Sequence, residues 1–449
     1  MRYLPHTEVE IRQMLERIGV ASIDELFKPI PEAHSFKGLM QMEPSLDEPR
    51  LMAHLNELAA KNTGARALSF LGAGMYDHHI PPALDQLLMR SEFYTAYTPY
   101  QAELSQGTLQ AIFEFQTTVC ELLGMEVANA SMYDGASAAA EAGLMARRAT
   151  RRTHLVVSGA IHPHYLETIR AYLHGLDGTP DMDVAPVLPN GRTDMDAVAA
   201  LTRDDTAAVV LGYPNFFGCV EDVATARAIT TAKKAMLITA TAEVYALALL
   251  ESPGALGADI AVAEGQSLAV PAQFGGPGVG LFSCRQDLVR QMPGRLVGET
   301  LDADGQRGYV LTLSTREQHI RRERATSNIC TNHGLIALAL TMRTALLGRS
   351  GFDQAARLCL SSAEYLKTRL AALPGVSLPF SAPTFNEFVV RLERVTAAAV
   401  VAEGMKEEML AGVDLATFDA TRTHDLLVAV TEKHSKADLD RLVTLISRL

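Results

Sequence analysis

From about residue 61 onward, short runs of β-branched residues alternate with longer Ala- and Leu-rich stretches, and this alternation restricts the fold more than any other feature of the chain. The runs at 155–157, 208–212, 236–239, 259–263 and 279–283 contain little that is polar, so a strand built from any of them must bury both faces. Helical stretches such as 137–148 and 163–174 lie between them. A parallel strand pair needs a crossover connection, usually a helix. The pattern therefore predicts an α/β domain around a mostly parallel sheet.

The flanks read differently. Thr7 and Glu10 form a capping-box pair ahead of Ile11, Met14, Leu15 and Ile18, which share one helix face, and Gly19 ends the helix. Ser22 with Glu25 predicts a second, short helix before the break at Pro29 and Pro31, and residues 49–61 predict a third. We expect a helical arm over 1–60 and a large domain over 61–330. From 331 the chain offers a long apolar helix at 335–347, a helical stretch at 352–373 and extended segments at 388–392 and 426–430. A final helix, capped by Ser435, carries Leu439, Leu442, Leu445 and Ile446. These predict a small C-terminal α+β domain over 331–449.

Charge and cysteine usage exclude several classes of function. Lys and Arg number 40 and Asp and Glu 52, so the balance is 40 − 52 = −12. Such a field repels a phosphate backbone, and nucleic acid is not an expected partner. The five cysteines show no CxxC or Cys/His spacing, which fits reduced thiols in a cytosol better than disulfides or zinc. Met1 to Thr7 lack an apolar targeting region, and no stretch reaches the roughly 18 uninterrupted apolar residues of a spanning helix. Even 334–347 is cut by Thr341, Arg343 and Thr344. The expectation is a cytoplasmic chain with no membrane partner.

Five segments hold polar groups where chemistry is commonly done. Residues 94–107 combine Tyr94, Tyr97 and Tyr100 with Gln101, Glu103, Ser105 and Gln106 and then run into a helix; positioned polar loops of this kind favour a binding site over packing. Gly135 and Ser137, after Asp134, open an Ala-rich helix whose amides could cup an anion, although an ordinary N-cap accounts for these residues equally well. His162 follows a strand, at the end where open α/β sheets place ligands; with His164 it lacks a third ligand, so no metal site is expected, and packing at a helix start is the plainer reading. The glycines at 275, 276 and 278 let the backbone approach a ligand or another subunit, and neither GxxxxGK[ST] nor GxGxxG occurs here. Between 316 and 324 four arginines gather in an acidic protein. Either a solvated face or carboxylate-holding forks, complemented by Thr326 and Ser327, would use them.

Taken in order, the stretches TPYQAELSQGTLQ (98–110), YDGASAAAEA (133–142), YPNFFGCVED (213–222), FGGPG (274–278) and TREQHIRRERATSNICT (315–331) resemble glycine dehydrogenase (decarboxylating), the P-protein of the glycine cleavage system. Length and segment order are similar to the α chain of its two-chain form. The resemblance implies a pyridoxal-phosphate (PLP) transferase fold of the aspartate aminotransferase type. It also puts Gln266 where the family's Schiff-base lysine stands, with no lysine between Lys234 and Lys367. Ala240 falls near the aspartate that pairs with the pyridinium nitrogen, and no aspartate occurs between Asp222 and Asp259. Together with Gly135, Ser137 and His162 these residues would form a degenerate cofactor site.

By the same resemblance PLP belongs to a partner β chain, and this chain binds none covalently. The paired chains would decarboxylate glycine and pass the aminomethyl group to the lipoyl arm of the H-protein, in a heterotetramer whose active site lies between chains. Tyr97, Tyr100 and Arg316 are then the expected catalytic contributions. Tyr94, Gln101, Glu103, Ser105, Gln106, His319, Thr326, Ser327 and Asn328 are expected to line the pocket for substrate and lipoyl arm. The competing expectation is a purely structural partner that never contacts substrate; a stand-alone PLP enzyme is disfavoured by the lysine-free interval.

Overall fold

The five β-branched runs become strands of one seven-stranded sheet, ordered Val127–Ala128, Gly280–Cys284, Ile260–Glu264, Met236–Thr241, Thr206–Gly212, His154–Ser158 and Met182–Ala185. This is seen in a computed structural model, which describes residues 5–36, 38–177, 181–273 and 275–449; the side chain of Asp177 is not described. Successive strand residues face opposite sides. Val157, Val210, Ile238 and Val262 enter one apolar cluster, and Val156, Val209, Leu211 and Leu237 enter another. Each such fully buried side chain stabilises the fold by about 2 kcal/mol. The first cluster is closed by the helices Gly135–Thr150 and Pro163–Asp177, the second by Met195–Leu201 and Val223–Lys233. Alanines 138, 139, 142 and 146 line the buried face of Gly135–Thr150, which lets that helix lie close on the sheet. At Gly143 a Cβ would stand 3.0 Å from Leu155.

The central strands are parallel, but Gly280–Cys284 runs antiparallel to both of its neighbours. Sequence burial is the same in either direction, and among the described residues the connection before this strand holds just the four-residue helix Gln266–Ala269, so the chain turns back along the sheet instead of crossing it. Met182–Ala185 escapes sequence reading because this edge strand is only partly buried and presents no apolar run.

A second, four-stranded antiparallel sheet is ordered Val376–Ser377, Glu387–Leu392, Asp425–Ala429 and Val413–Asp414. Its core takes Val390, Leu426 and Val428 with Leu439, Leu442 and Leu445 of the last helix, Lys436–Ser447. Ser435 caps that helix in a reciprocal capping box with Asp438. Leu68–Ser69 pairs in parallel with Met409–Leu410. The two helical stretches expected at 335–347 and 352–373 are one element, Gly334–Ala371, interrupted at Gly348 (φ 62°, ψ 172°). By length and composition this helix could cross a membrane. Ala337, Leu340, Ala356 and Cys359 instead sit in an interior cluster with Phe115, Tyr245 and Leu281.

The antiparallel hairpin of Leu296–Leu301 and Arg307–Thr312 is fastened to the helix Gln106–Leu123 by two amides. Gln116 exchanges bonds with both backbone groups of Val297 (3.0 and 2.9 Å), and Gln106 does the same with Tyr309 (2.9 and 2.9 Å).

Residues Met1–Asn62 form a unit of their own, separate from Thr63–Leu449. It holds the helices Glu8–Ile18, with the Thr7–Glu10 capping box formed, and Glu48–Ala60, capped by Asp47. Ile23–Phe27 is a 3-10 turn and not an α-helix; Ser22 makes no cap, and Glu25 instead accepts from Ala21 N at 3.0 Å. None of the unit's described residues is buried.

Candidate active site

The carboxyl ends of the parallel strands open toward the start of the helix Gly135–Thr150, where sequence places an anion cup. Asp134 caps this helix: its Oδ1 accepts from Ser137 N at 2.7 Å, and Ser137 Oγ accepts from Asp134 N at 3.3 Å. The next amide is also taken. Glu264, the last residue of its strand, accepts from Gly135 N through Oε2 and from Gln266 N and Val279 N through Oε1, each at 2.9 Å. Burial raises the Glu264 carboxyl, against the pull of these three amides. Tyr165 closes over the same spot, its hydroxyl only 2.0 Å from where a Cβ on Gly135 would stand.

The rest of the cleft is filled in the same way. Gln266 is buried and donates through Nε2 to Val270 O at 2.5 Å, and Ala240 is buried in its strand. His162 is held neutral, burial lowering it to about 4. Its Nε2 meets Ala73 O at 2.8 Å and its Nδ1 accepts from His164 N at 3.1 Å, so Nε2 carries the proton. Tyr165 and Phe216 pack on its ring, at 5.2 and 5.1 Å between centroids. Cavities of about 10 Å³ remain beside Ala240 and Glu387, no more than room for one water. These residues do not fit PLP: among the described residues no amine faces the cleft for an aldimine, position 240 is Ala and offers no carboxylate for a pyridinium, and the amides that would hold a phosphate hold Glu264.

Behind the cleft lies a buried charge network that sequence reading misses, because its members come from distant segments. His78 bonds Glu432 through Nδ1 at 2.6 Å and Glu243 through Nε2 at 2.9 Å, and stacks 3.8 Å from Tyr245. Burial disfavours its charged form, and the attraction of Glu243 with the surrounding bonds overcomes this, so its pKa is raised. Glu387 accepts from Ala73 N at 2.6 Å and from Tyr76 Oη at 2.8 Å, and burial lifts it to about 8. Donor atoms of His78, Cys359 and Glu432 fall within 4.8 Å of one another, a set able to hold a metal ion; each is already engaged in the hydrogen-bonded network.

The tyrosine loop is the more open face. Tyr94, Tyr97 and Tyr100 are all exposed, as are Gln101 and Glu103; Ser105 is half-buried and makes no side-chain cap. Tyr97 edges an apolar cavity of about 40 Å³ lined by Phe93, Ile112, Phe115, Leu335 and Leu338. Beneath Tyr100 sits Arg295, which donates to the Tyr100 hydroxyl (3.4 Å), Cys330 O (3.0 Å), Thr331 Oγ1 (3.3 Å) and Asn332 Oδ1 (3.4 Å). Glu317 Oε2 lies 3.5 Å from Arg295 Nε and 3.6 Å from His319 Nδ1, and the His319 ring meets Tyr100 edge-on at 6.2 Å.

The structure thus brings Tyr100 and His319 together around Arg295 and Glu317, two residues that sequence reading leaves out. Arg316 is used differently from the expectation. It donates to Leu313 O (3.1 Å), Gly294 O (3.1 Å) and Met292 O, so its fork braces backbone of its own chain. Gln106 is likewise a brace for the hairpin. Thr326 bonds Arg316 O through its amide at 3.0 Å, Ser327 donates to the buried Glu141 at 2.8 Å, and Asn328 is exposed. The segment from Cys330 to His333 joins the two regions: Cys330 N donates to Tyr133 Oη at 3.0 Å, and His333 Nδ1 meets Gly278 O at 2.6 Å. Of the FGGPG stretch, Phe274 lies outside the described residues.

Sphingosine-1-phosphate lyase of Burkholderia pseudomallei superposes with a TM-score of 0.66 at 17% identity, over 93% of this chain and 94% of that one. With the other solved neighbours it places the chain in the α/β fold of PLP-dependent transferases. A solved glycine decarboxylase (P-protein) of the glycine cleavage system, in inhibitor-bound form, is far nearer: TM-score 0.89 and 40% identity over all of both chains. The probable glycine dehydrogenase (decarboxylating) subunit 1 of Sorangium cellulosum is 59% identical over 99% of this chain and 98% of its own length. The corresponding protein of Rhodospirillum centenum is 51% identical over 99% and 98%. The sequence profile described as glycine cleavage system P-protein matches residues 1–446, and the chain belongs to that family.

Proposed function

We propose that this chain is the cofactor-free subunit of a two-chain glycine dehydrogenase (decarboxylating), working in the cytoplasm. A second, PLP-bearing subunit would decarboxylate glycine and transfer the aminomethyl group to the lipoyl arm of the H-protein. The observation that carries this reading is the Glu264 carboxylate on the amides of the vestigial cup, beside Gln266. A chain so arranged acts on another chain's chemistry or not at all.

Its part in the reaction is positioning and shielding. Tyr97 and Tyr100 supply exposed hydroxyls that would meet the carboxylate of glycine or the incoming arm, and the apolar cavity beside Tyr97 would keep water from that contact. Tyr94, Gln101, Glu103, Ser105, His319 and Asn328 would form the rim, while Gln106, Arg316, Thr326 and Ser327 hold its shape. Residues 61–330 would serve as the domain facing the partner's cofactor, with 331–449 as the small domain behind it. A scaffold that never touches substrate is the second reading, favoured by the way Gln106 and Arg316 spend their polar groups on the chain's own backbone.

The test is co-expression with a PLP-bearing partner and a glycine–bicarbonate exchange assay in the presence of lipoylated H-protein. We expect exchange only from the pair, and no borohydride-trapped PLP peptide from this chain alone. Y97F and Y100F should each lower exchange with assembly and cofactor absorbance unchanged. Full activity in both variants would leave the scaffold reading as the better one, and a stoichiometric PLP adduct on the isolated chain would refute the cofactor-free assignment.

A further inference from the structure

Tyr100 is the loop tyrosine whose hydroxyl this chain itself grips. Arg295 Nη2 lies 3.4 Å from its oxygen, and the guanidinium carbon is 5.6 Å from the ring centre. A guanidinium has five donors and no acceptor, so in this bond the phenol oxygen accepts and its own proton points elsewhere. Among the described residues no acceptor takes that proton, and Tyr100 as a whole is 62% exposed.

Arg295 is the opposite in character. It is 5% exposed and is pinned by Cys330 O, Thr331 Oγ1 and Asn332 Oδ1. Its Nε makes no hydrogen bond, the nearer oxygen of Glu317 standing off at 3.5 Å, and the other oxygen of that buried carboxylate has no partner. The cation is therefore held by three consecutive residues, ion-paired with Glu317 at 3.5 Å, and bonded on its remaining side to Tyr100. A cation bonded to a phenol oxygen polarises the O–H and makes it the stronger donor.

We infer that Arg295 is a positioning residue: it fixes Tyr100 as an outward-pointing, cation-backed O–H donor, so that the loop selects a carboxylate on the substrate it receives. This rests on the reading that the tyrosine loop completes a partner's site. Lysine at 295 would keep the charge, but its single ammonium cannot span the four acceptors that the planar fork reaches.

A double-mutant cycle in the assembled two-chain enzyme tests this, with R295K, Y100F and R295K/Y100F assayed for glycine exchange. Y100F and R295K should each lower kcat/KM for glycine about tenfold, mostly through KM, and the double variant should be no worse than the poorer single. E317Q gives an independent cycle should R295K fail to assemble: a several-fold loss with Tyr100 present and none in the Y100F background. Losses that multiply, or an R295K enzyme with full activity, would overturn the inference while leaving the partner-site reading standing. A silent Y100F would overturn both, since Arg295 then has nothing to act through.

Discussion

Glu387 shows how a buried carboxyl makes stability depend on pH. In the unfolded chain it titrates near 4.5, whereas burial holds it at about 8 in the fold. Between these values the folded state keeps a proton that the unfolded state releases. Its contribution is therefore full below about 4.5, declines as pH rises by at most about 1.4 kcal/mol per unit, and is gone above 8. Glu387→Gln keeps the shape and the bond from Ala73 N, with its NH2 donating to the Tyr76 oxygen in place of accepting from it, but cannot titrate. We expect its Tm to fall less steeply than wild type between about pH 6 and pH 8, by calorimetry; parallel slopes would show that Glu387 is not the titrating group. Arg316 carries a different expectation. Arg316→Ala strips donors from the carbonyls of the buried Met292 and the half-buried Gly294 and Leu313 and should cost roughly 2–4 kcal/mol in denaturant unfolding. Any loss of activity should then track the loss of fold.

At the scale of elements, the junction between the strand Ile260–Glu264 and the helix Gly135–Thr150 is the most exacting. Glu264→Gln replaces an oxygen by an NH2 that faces a backbone donor, so at least one of three amides loses its acceptor. A loss of roughly 1–3 kcal/mol is expected in thermal or denaturant unfolding, together with faster hydrogen exchange at Gly135 N or Val279 N; unchanged protection would mean the carboxylate is incidental. Sequence showed why the central strands form, because Val156 and Val157, or Val209 and Val210, leave no polar face to expose. It also located the helix start by Asp134 and Ser137, which in the structure form the N-cap that sequence weighed against an anion cup. It could not show that Glu264 fills it, since that contact joins residues 129 apart. It equally could not reveal that Arg316 faces carbonyls while Arg295 faces Tyr100, because a guanidinium serves backbone and ligand with the same donors. The direction of Gly280–Cys284 was illegible for a related reason: a buried run reads alike both ways.

For the whole molecule, the unit Met1–Asn62 is the part least able to stand alone. Its apolar side chains, among them Met14, Ile18, Phe27, Leu51 and Leu55, are exposed, and a segment with so little core gains too little to offset its ordering entropy. Arg12, Arg17 and Arg50 offer cleavage points within it, whereas Lys28 is shielded by the following Pro29. Brief trypsin treatment should therefore trim the isolated chain within residues 12–50 and spare it once the second subunit is bound, as read by mass spectrometry. Equal cutting in both states would mean that the arm takes no part in assembly.

The carboxylate on the Gly135 amide also settles a matter of supply. A protein that binds a cofactor only when folded gains stability in proportion to the logarithm of the free cofactor concentration once that exceeds Kd, and loses it in scarcity. Here the group that accepts from these amides is covalently part of the chain, present at fixed stoichiometry whatever the medium contains. The midpoint of unfolding should thus stay constant as PLP or phosphate is added. If this chain is the cofactor-free subunit proposed above, it would stay folded through shortages that would unsettle a chain dependent on the vitamin.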